Sequence, residues 1–211
     1  MKKLLVVLSL LASTAGARAG IVNGDFELGS SGWSDTSTHI AAGQLVCTVA
    51  DCGDVNGAAG PNSPDHWALF GATPADATPE DATLRQTVTF PNGDTFINFW
   101  LWIGNRAGTE NDFFRFYIRD VGNNTSSLLF EATAATPGFD NYQQVAVQVP
   151  NQFRGGTFDI SFEFHSEVGS EGQVFNLDDV SLTNAPEPST LGYALCGLAG
   201  LVYARKVRRR I

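Results

Sequence analysis

Between residues 20 and 184 no amphipathic stretch of helical period runs for a useful length. In its place come short alternating runs, rich in aromatic and β-branched residues and cut by Gly, Asn, Asp and Pro. This pattern constrains the fold most, because a period of two puts neighbouring side chains on opposite faces of a strand and provides no stripe for a helix to bury. The runs predict strands over 21–26, 44–50, 66–70, 84–90, 96–103, 113–119, 127–131, 143–149, 157–164 and 173–182. Pro91-Asn92-Gly93-Asp94, Gly122-Asn123-Asn124, Thr136-Pro137-Gly138 and Arg154-Gly155-Gly156 supply turns between them. Roughly ten short strands at this spacing read as an all-β, antiparallel β-sandwich rather than a parallel α/β sheet.

Two runs say more. FINFWLWI, 96–103, is apolar on both faces, with Phe96, Asn98, Trp100 and Trp102 on one and Ile97, Phe99, Leu101 and Ile103 on the other. A strand covered on both sides belongs centrally in its sheet. The run 113–119 is two-sided: Phe114, Phe116 and Ile118 read as core, while Phe113, Arg115, Tyr117 and Arg119 point the other way. It is expected beside 96–103. The segments 51–65 and 73–81 read as polar loops.

The ends differ in character from this body. Lys2 and Lys3 precede an apolar run over 4–12, and Ala17-Arg18-Ala19 places small residues two apart before Gly20. A charged start, an apolar run too short to span and an A-x-A site predict a signal peptide over 1–19. At the other end an apolar helix is expected over 191–204, followed by Arg205, Lys206, Arg208, Arg209 and Arg210. Fourteen helical residues reach only about 21 Å, so snorkelling arginines and uncharged flanks must cover part of the membrane. The basic cluster is expected to stay cytoplasmic, leaving everything before it outside.

Without the ends, the region 20–186 keeps five arginines, no lysine and twenty-one acidic residues, a formal net of −16. Such a body repels phosphate backbones and argues against nucleic acid as a partner. Clustered carboxylates suit calcium instead. Cys47 and Cys52 lie close together in a Gly/Asp-rich segment, and in an oxidising compartment they are expected to form a small disulfide loop; the alternative is two unlinked thiols.

Pro186-Glu187-Pro188 stands after the last strand and before Ser189-Thr190, the apolar run and the arginines. The prolines hold this link extended and stop a helix from growing back toward the domain. This arrangement over 185–211 resembles the PEP-CTERM sorting signal of Gram-negative bacteria. The resemblance implies a membrane peptidase, exosortase, as partner, transient or stable residence in the inner membrane, and delivery to the cell surface or an exopolysaccharide-rich biofilm matrix.

Ile21-Val22-Asn23-Gly24-Asp25-Phe26-Glu27 with Gly32-Trp33, and Phe175-Asn176-Leu177-Asp178-Asp179-Val180-Ser181-Leu182, resemble the opening and closing strands of jelly-roll carbohydrate-binding modules. The resemblance implies a jelly roll over 20–184 and a structural calcium ion held by Glu27, by Asp178 or Asp179, and by a backbone carbonyl near Asn23 or Asp25. A hydrogen-bond network around the same acids is the alternative, since an inward acid without a partner is costly. Trp100, Trp102, Arg115, Tyr117 and Arg119 are the sugar-contact candidates if their strands pair in register, although tryptophans on a doubly apolar strand more often pack a core.

No HExxH, Gly-x-Ser-x-Gly or phosphate-cradling motif occurs, and His39, His66 and His165 lack metal-ligand spacing. The expectation is a non-catalytic domain binding extracellular polysaccharide. A structural or adhesive matrix protein is the alternative, and a glycan-active enzyme a weaker one.

Overall fold

The computed structural model describes residues 20–40, 43–52, 60–71, 78–104, 109, 111–167 and 174–184. The expected signal peptide over 1–19, the Pro186-Glu187-Pro188 motif and the expected apolar helix over 191–204 lie outside these residues. Among the described residues no helix is long and apolar enough to cross a membrane.

Among the described residues ten strands carry the fold: β1 Ser34–Ser37, β2 Val46–Thr48, β3 His66–Phe70, β4 Glu80–Thr89, β5 Thr95–Ile103, β6 Phe113–Asp120, β7 Thr125–Thr133, β8 Gln143–Gln148, β9 Thr157–Ser166 and β10 Phe175–Asn184. They form two five-stranded sheets, ordered β1-β4-β9-β6-β7 and β2-β3-β10-β5-β8, with every pairing antiparallel. The chain crosses repeatedly between the sheets, as in a jelly roll. Alternation fixes what each strand buries. In β6, Phe114, Phe116 and Ile118 are fully buried, and in β5 so are Ile97, Phe99, Leu101 and Ile103. Their rings interlock between the sheets: Phe99 meets Phe116 at 5.5 Å and Phe162 at 5.3 Å, and Phe116 meets Phe162 at 4.7 Å. Fully burying one such ring contributes about 1.5–3 kcal/mol, so this layer dominates the apolar stabilisation.

Three local expectations change. Residues 21–26 form turns, not a strand. Asn23 and Phe26 take the left-handed φ values 49° and 58°. The Asn23 side chain accepts from Leu28 N at 3.0 Å and donates to the carbonyls of Gly29 and Ser31 at 2.7 and 3.0 Å, a local network that competes with pairing in a sheet. This segment nonetheless reaches the last strand: Val180 N donates to Gly24 O at 2.7 Å, an approach so close that a Cβ at Gly24 would collide with the Val180 carbonyl. Second, residues Val49–Cys52 close in one helical turn after β2.

The third change matters most for function. β6 is not beside β5; it pairs with β7 and β9 in the other sheet and faces β5 across the core. Alternation reveals which side of a strand is buried, and that requirement is met equally by a neighbour alongside or by one opposite.

Candidate functional site

Two polar regions stand out. The first is an oxygen cluster where the N-terminal turns, the loop before β3, and β10 meet. Asp178 is fully buried, and its Oδ2 accepts from Asn62 N and Ser63 N, both at 2.8 Å. Its Oδ1 accepts from Asp179 N at 2.7 Å. Glu27 Oε1 accepts from Asp65 N at 3.0 Å and His66 N at 3.1 Å. The Ser63 hydroxyl sits among five acceptor oxygens: Asp25 O, Glu27 Oε1 and Asp178 Oδ1 at 3.0 Å, and His66 O and Asp178 Oδ2 at 3.2 Å. A hydroxyl has one proton, so it can serve only one of them. Backbone N–H groups serve the carboxylate oxygens of Asp178 and Glu27, and the carbonyls of Asp25 and His66 complete a group of hard oxygens around the hydroxyl.

Burial pushes the Asp178 carboxyl up to about 6, even though backbone N–H groups favour its charged form. The Asp65 N–H, followed by the His66 N–H and the Ser63 hydroxyl, holds Glu27 below its ordinary value. Burial thus disfavours the anion of Asp178, while the surrounding donors favour that of Glu27. Among the described residues no three His, Cys, Asp or Glu side chains gather at one point. The set here is two carboxylates, two carbonyls and a hydroxyl.

Of the predicted ligands, Glu27, Asp178 and the Asp25 carbonyl converge. Asn23 does not, because its side chain is engaged in its own turn and its carbonyl accepts from Trp33 Nε1 at 2.9 Å. The bulge between Asp178 and Ser181 turns Asp179 away from the cluster; its Oδ2 accepts from Asn62 Nδ2 at 2.7 Å. Asn62, Ser63 and the His66 carbonyl were missed. Pro61-Asn62-Ser63-Pro64-Asp65 reads as a loop, and only the fold shows that it lies over β10.

The second region is the outward face of the sheet β1-β4-β9-β6-β7, which carries Arg115, Tyr117 and Arg119. The registers place Tyr117, Ser161, Arg85 and Ser34 in one row across four strands, and Arg115, Glu163, Thr83 and Thr36 in the next. Arg119 pairs with Glu163 and lies over the Tyr117 ring, 4.8 Å from its centroid. Arg115 pairs with Glu131 at 2.6 Å and lies over the Phe113 ring at 3.8 Å. A groove of about 270 Å³ runs among Ser34, Thr36, Thr83, Arg85, Arg119, Ser161 and Glu163. It continues past Arg85 into one of about 490 Å³ edged by Val22 and Val121.

Trp100 and Trp102 are on the outward side of the opposite sheet, so the five sugar-contact candidates do not share a face. Trp102, 8% exposed, packs with Cys47, Trp67, Leu69 and Val174 in a small second core. The Cys47–Cys52 disulfide, with Cα atoms 5.9 Å apart, borders that cluster. Trp100 lines a separate cleft of about 430 Å³ with Asn23, Asp25, Gln144 and Asp179.

No protein-family model matches the chain. No curated protein matches it either. Among solved structures it is similar to TmCBM61 in complex with β-1,4-galactotriose, at 18% identity and a TM-score of 0.51, over 77% of this chain and 96% of that one. It is also similar to the K3 cleaved adhesin domain of Lys-gingipain from Porphyromonas gingivalis, at 21% identity and a TM-score of 0.50, over 79% and 100%. At these identities the likeness establishes the fold alone: this is an antiparallel β-sandwich.

Proposed function

We propose that this chain is an exported, non-catalytic carbohydrate-binding protein. In this reading a signal peptide over 1–19 starts export, and a PEP-CTERM-like tail over 185–211 holds the chain in the inner membrane until exosortase releases it. The domain then serves at the surface or in the polysaccharide matrix of a Gram-negative bacterium.

One observation carries the binding function: the grooved outward face of β1-β4-β9-β6-β7. It sets the aromatic ring of Tyr117, arginines, a carboxylate and a line of hydroxyls along one surface. Rings offer apolar surface to the C–H side of a pyranose, and arginine, glutamate, serine and threonine supply fixed donors and acceptors for its hydroxyls. The likeness to a galactotriose-binding module supports the same reading. We further propose that Glu27, Asp178, Ser63 and the carbonyls of Asp25 and His66 hold a structural calcium ion, which would tie the N-terminal turns to the last strand without entering the sugar face.

A glycan array probed with the full chain in mild detergent tests the function. Selective binding that Tyr117→Ala abolishes, with an unchanged melting temperature, is the expected result. Silence across the array would favour an adhesive or structural matrix protein.

A further inference from the structure

Basic residues are scarce in this body, and their placement is uneven. Region 20–186 has no lysine and five arginines, of which the structure describes Arg85, Arg115, Arg119 and Arg154. The first three share the outward face of one sheet. Arg154 lies elsewhere and pairs with Asp94 at 2.6 Å. Arg115 is matched by Glu131 and Arg119 by Glu163. Among the described residues the side chain of Arg85, alone of these arginines, makes no hydrogen bond or ion pair.

Its position is telling. Arg85 is exposed, and it lines both grooves of the face, so it stands where the two join. Ser34, Thr36, Thr83 and Thr87 surround it with hydroxyls. Val22 and Val121, 60% and 71% exposed, edge the far groove. Tyr117 is in its row two strands away, about 10 Å at the usual strand spacing. A ligand spanning the groove thus meets the Arg119 guanidinium that lies over the Tyr117 ring, then the unpaired guanidinium of Arg85, then apolar edges.

We infer that the ligand of this face is an acidic polysaccharide with sparsely spaced uronate carboxylates, one of which Arg85 takes in its planar fork. This rests on the carbohydrate-binding reading above. Arginine is permanently charged, and its paired N–H groups match a carboxylate with two parallel hydrogen bonds. Neutralised arginines offer less, which singles out Arg85 over its neighbours. The spacing of charge follows from the rest of the molecule. A body with a formal net of −16 repels a dense polyanion, although screening over about 8 Å leaves a single local contact intact. Asp159, which lines the groove beyond Arg85 and accepts from Thr87 Oγ1 at 2.6 Å, would repel a second carboxylate placed next to the first.

The test is affinity electrophoresis of the full chain in mild detergent through gels containing uronate-bearing heteropolysaccharides, each beside its carboxyl-reduced form, with polygalacturonate and neutral glucans and galactans alongside. We expect retardation by at least one heteropolysaccharide, about tenfold weaker after carboxyl reduction and about tenfold weaker for Arg85→Ala. Arg85→Lys should recover only part, because an ammonium lacks the fork. Polygalacturonate should retard less than the sparser chain. Equal binding of the reduced form, retention by neutral polymers only, stronger retention by polygalacturonate, or an unaffected Arg85→Ala chain would each overturn the inference while sparing the carbohydrate-binding reading. No retention by any polymer, neutral or acidic, would instead sink that reading itself.

Discussion

On one sheet the outward positions carry Arg85, Arg115, Tyr117, Arg119, Asp159 and Glu163, several of which pair or stack with one another and with their strand neighbours. On the other sheet they carry Trp67, Leu69, Trp102 and Cys47, covered by a small core that the disulfide segment and Tyr142 complete. Both faces come from strands with the same two-residue alternation. The difference lies in what the outward set is made of. A polar and cationic set can remain in water and meet a ligand; an apolar set recruits loops and becomes structure. The oxygen cluster around Ser63 joins the second face to the N-terminal turns, which makes that side of the sandwich the stabilising one.

The sharpest way to break this contrast is Trp67→Ala. Trp67 is fully buried, and its loss should lower stability by about 3–5 kcal/mol in a denaturant titration of the full chain. Trp67→Phe should cost far less, since among the described residues the indole N–H has no hydrogen-bond partner to lose. Should Trp67→Ala leave the midpoint in place, the second face would be surface rather than core.

Next in size is the effect of calcium. Added at a hundredfold excess over its dissociation constant, it should stabilise the protein by about 2.7 kcal/mol, with EDTA reversing the shift and Asp178→Asn removing it. The pH dependence supplies the sign. A buried acid with a raised pKa is stabilised by protonation, so its penalty is absent at low pH and grows as pH rises from the ordinary carboxylate value through about 6. In EDTA the melting temperature should therefore fall between pH 4 and 7, by the equivalent of roughly 2 kcal/mol once partial screening is allowed for. Glu27 acts oppositely: its stabilisation is present above the ordinary value and is lost as pH falls through its lowered one. Calcium should flatten the Asp178 slope. A slope that is the same with and without the ion would remove the metal from the cluster.

Reducing the disulfide ranks below these. Five positions separate Cys47 from Cys52, and so short a loop restrains the unfolded chain by only about 2 kcal/mol. Cys47→Ser should show that loss without altering retention on a polysaccharide gel.

Much of this contrast was legible in the sequence, and the missing part has a definite physical character. The alternation in 113–119 identified both the core residues Phe114, Phe116 and Ile118 and the outward Arg115, Tyr117 and Arg119, because period two is a property of a single strand. The pairing of strands is a property of the whole topology, which is why Trp100 and Trp102 were placed with Tyr117 when a sheet crossing separates them. The acids Glu27 and Asp178 were visible as residue types at the two ends of the domain. Ser63 was not, since a serine between two prolines reads as an ordinary loop residue until the loop is laid over β10. Arg85 was equally hidden: its strand was predicted, but an exposed arginine is unremarkable in sequence, and only the register with Ser34 and Ser161 puts it between two grooves.

The smallest expected change in stability tests the contrast from its other side. Arg119 and Glu163 form a partly exposed pair, with side-chain exposures of 38% and 23%, and pairs of this kind contribute about 0–1 kcal/mol. Arg119→Ala should therefore shift the melting temperature by no more than about 4 °C in a chain of this size. It should also uncover the Tyr117 ring and free Glu163, changing both the apolar platform and the charge beside Arg85. Binding of an acidic glycan should then weaken more than binding of its carboxyl-reduced counterpart, because the unpaired Glu163 repels only the former. A large loss of stability with proportional loss of both ligands would mean that the polar face, like the apolar one, serves to hold the sandwich together.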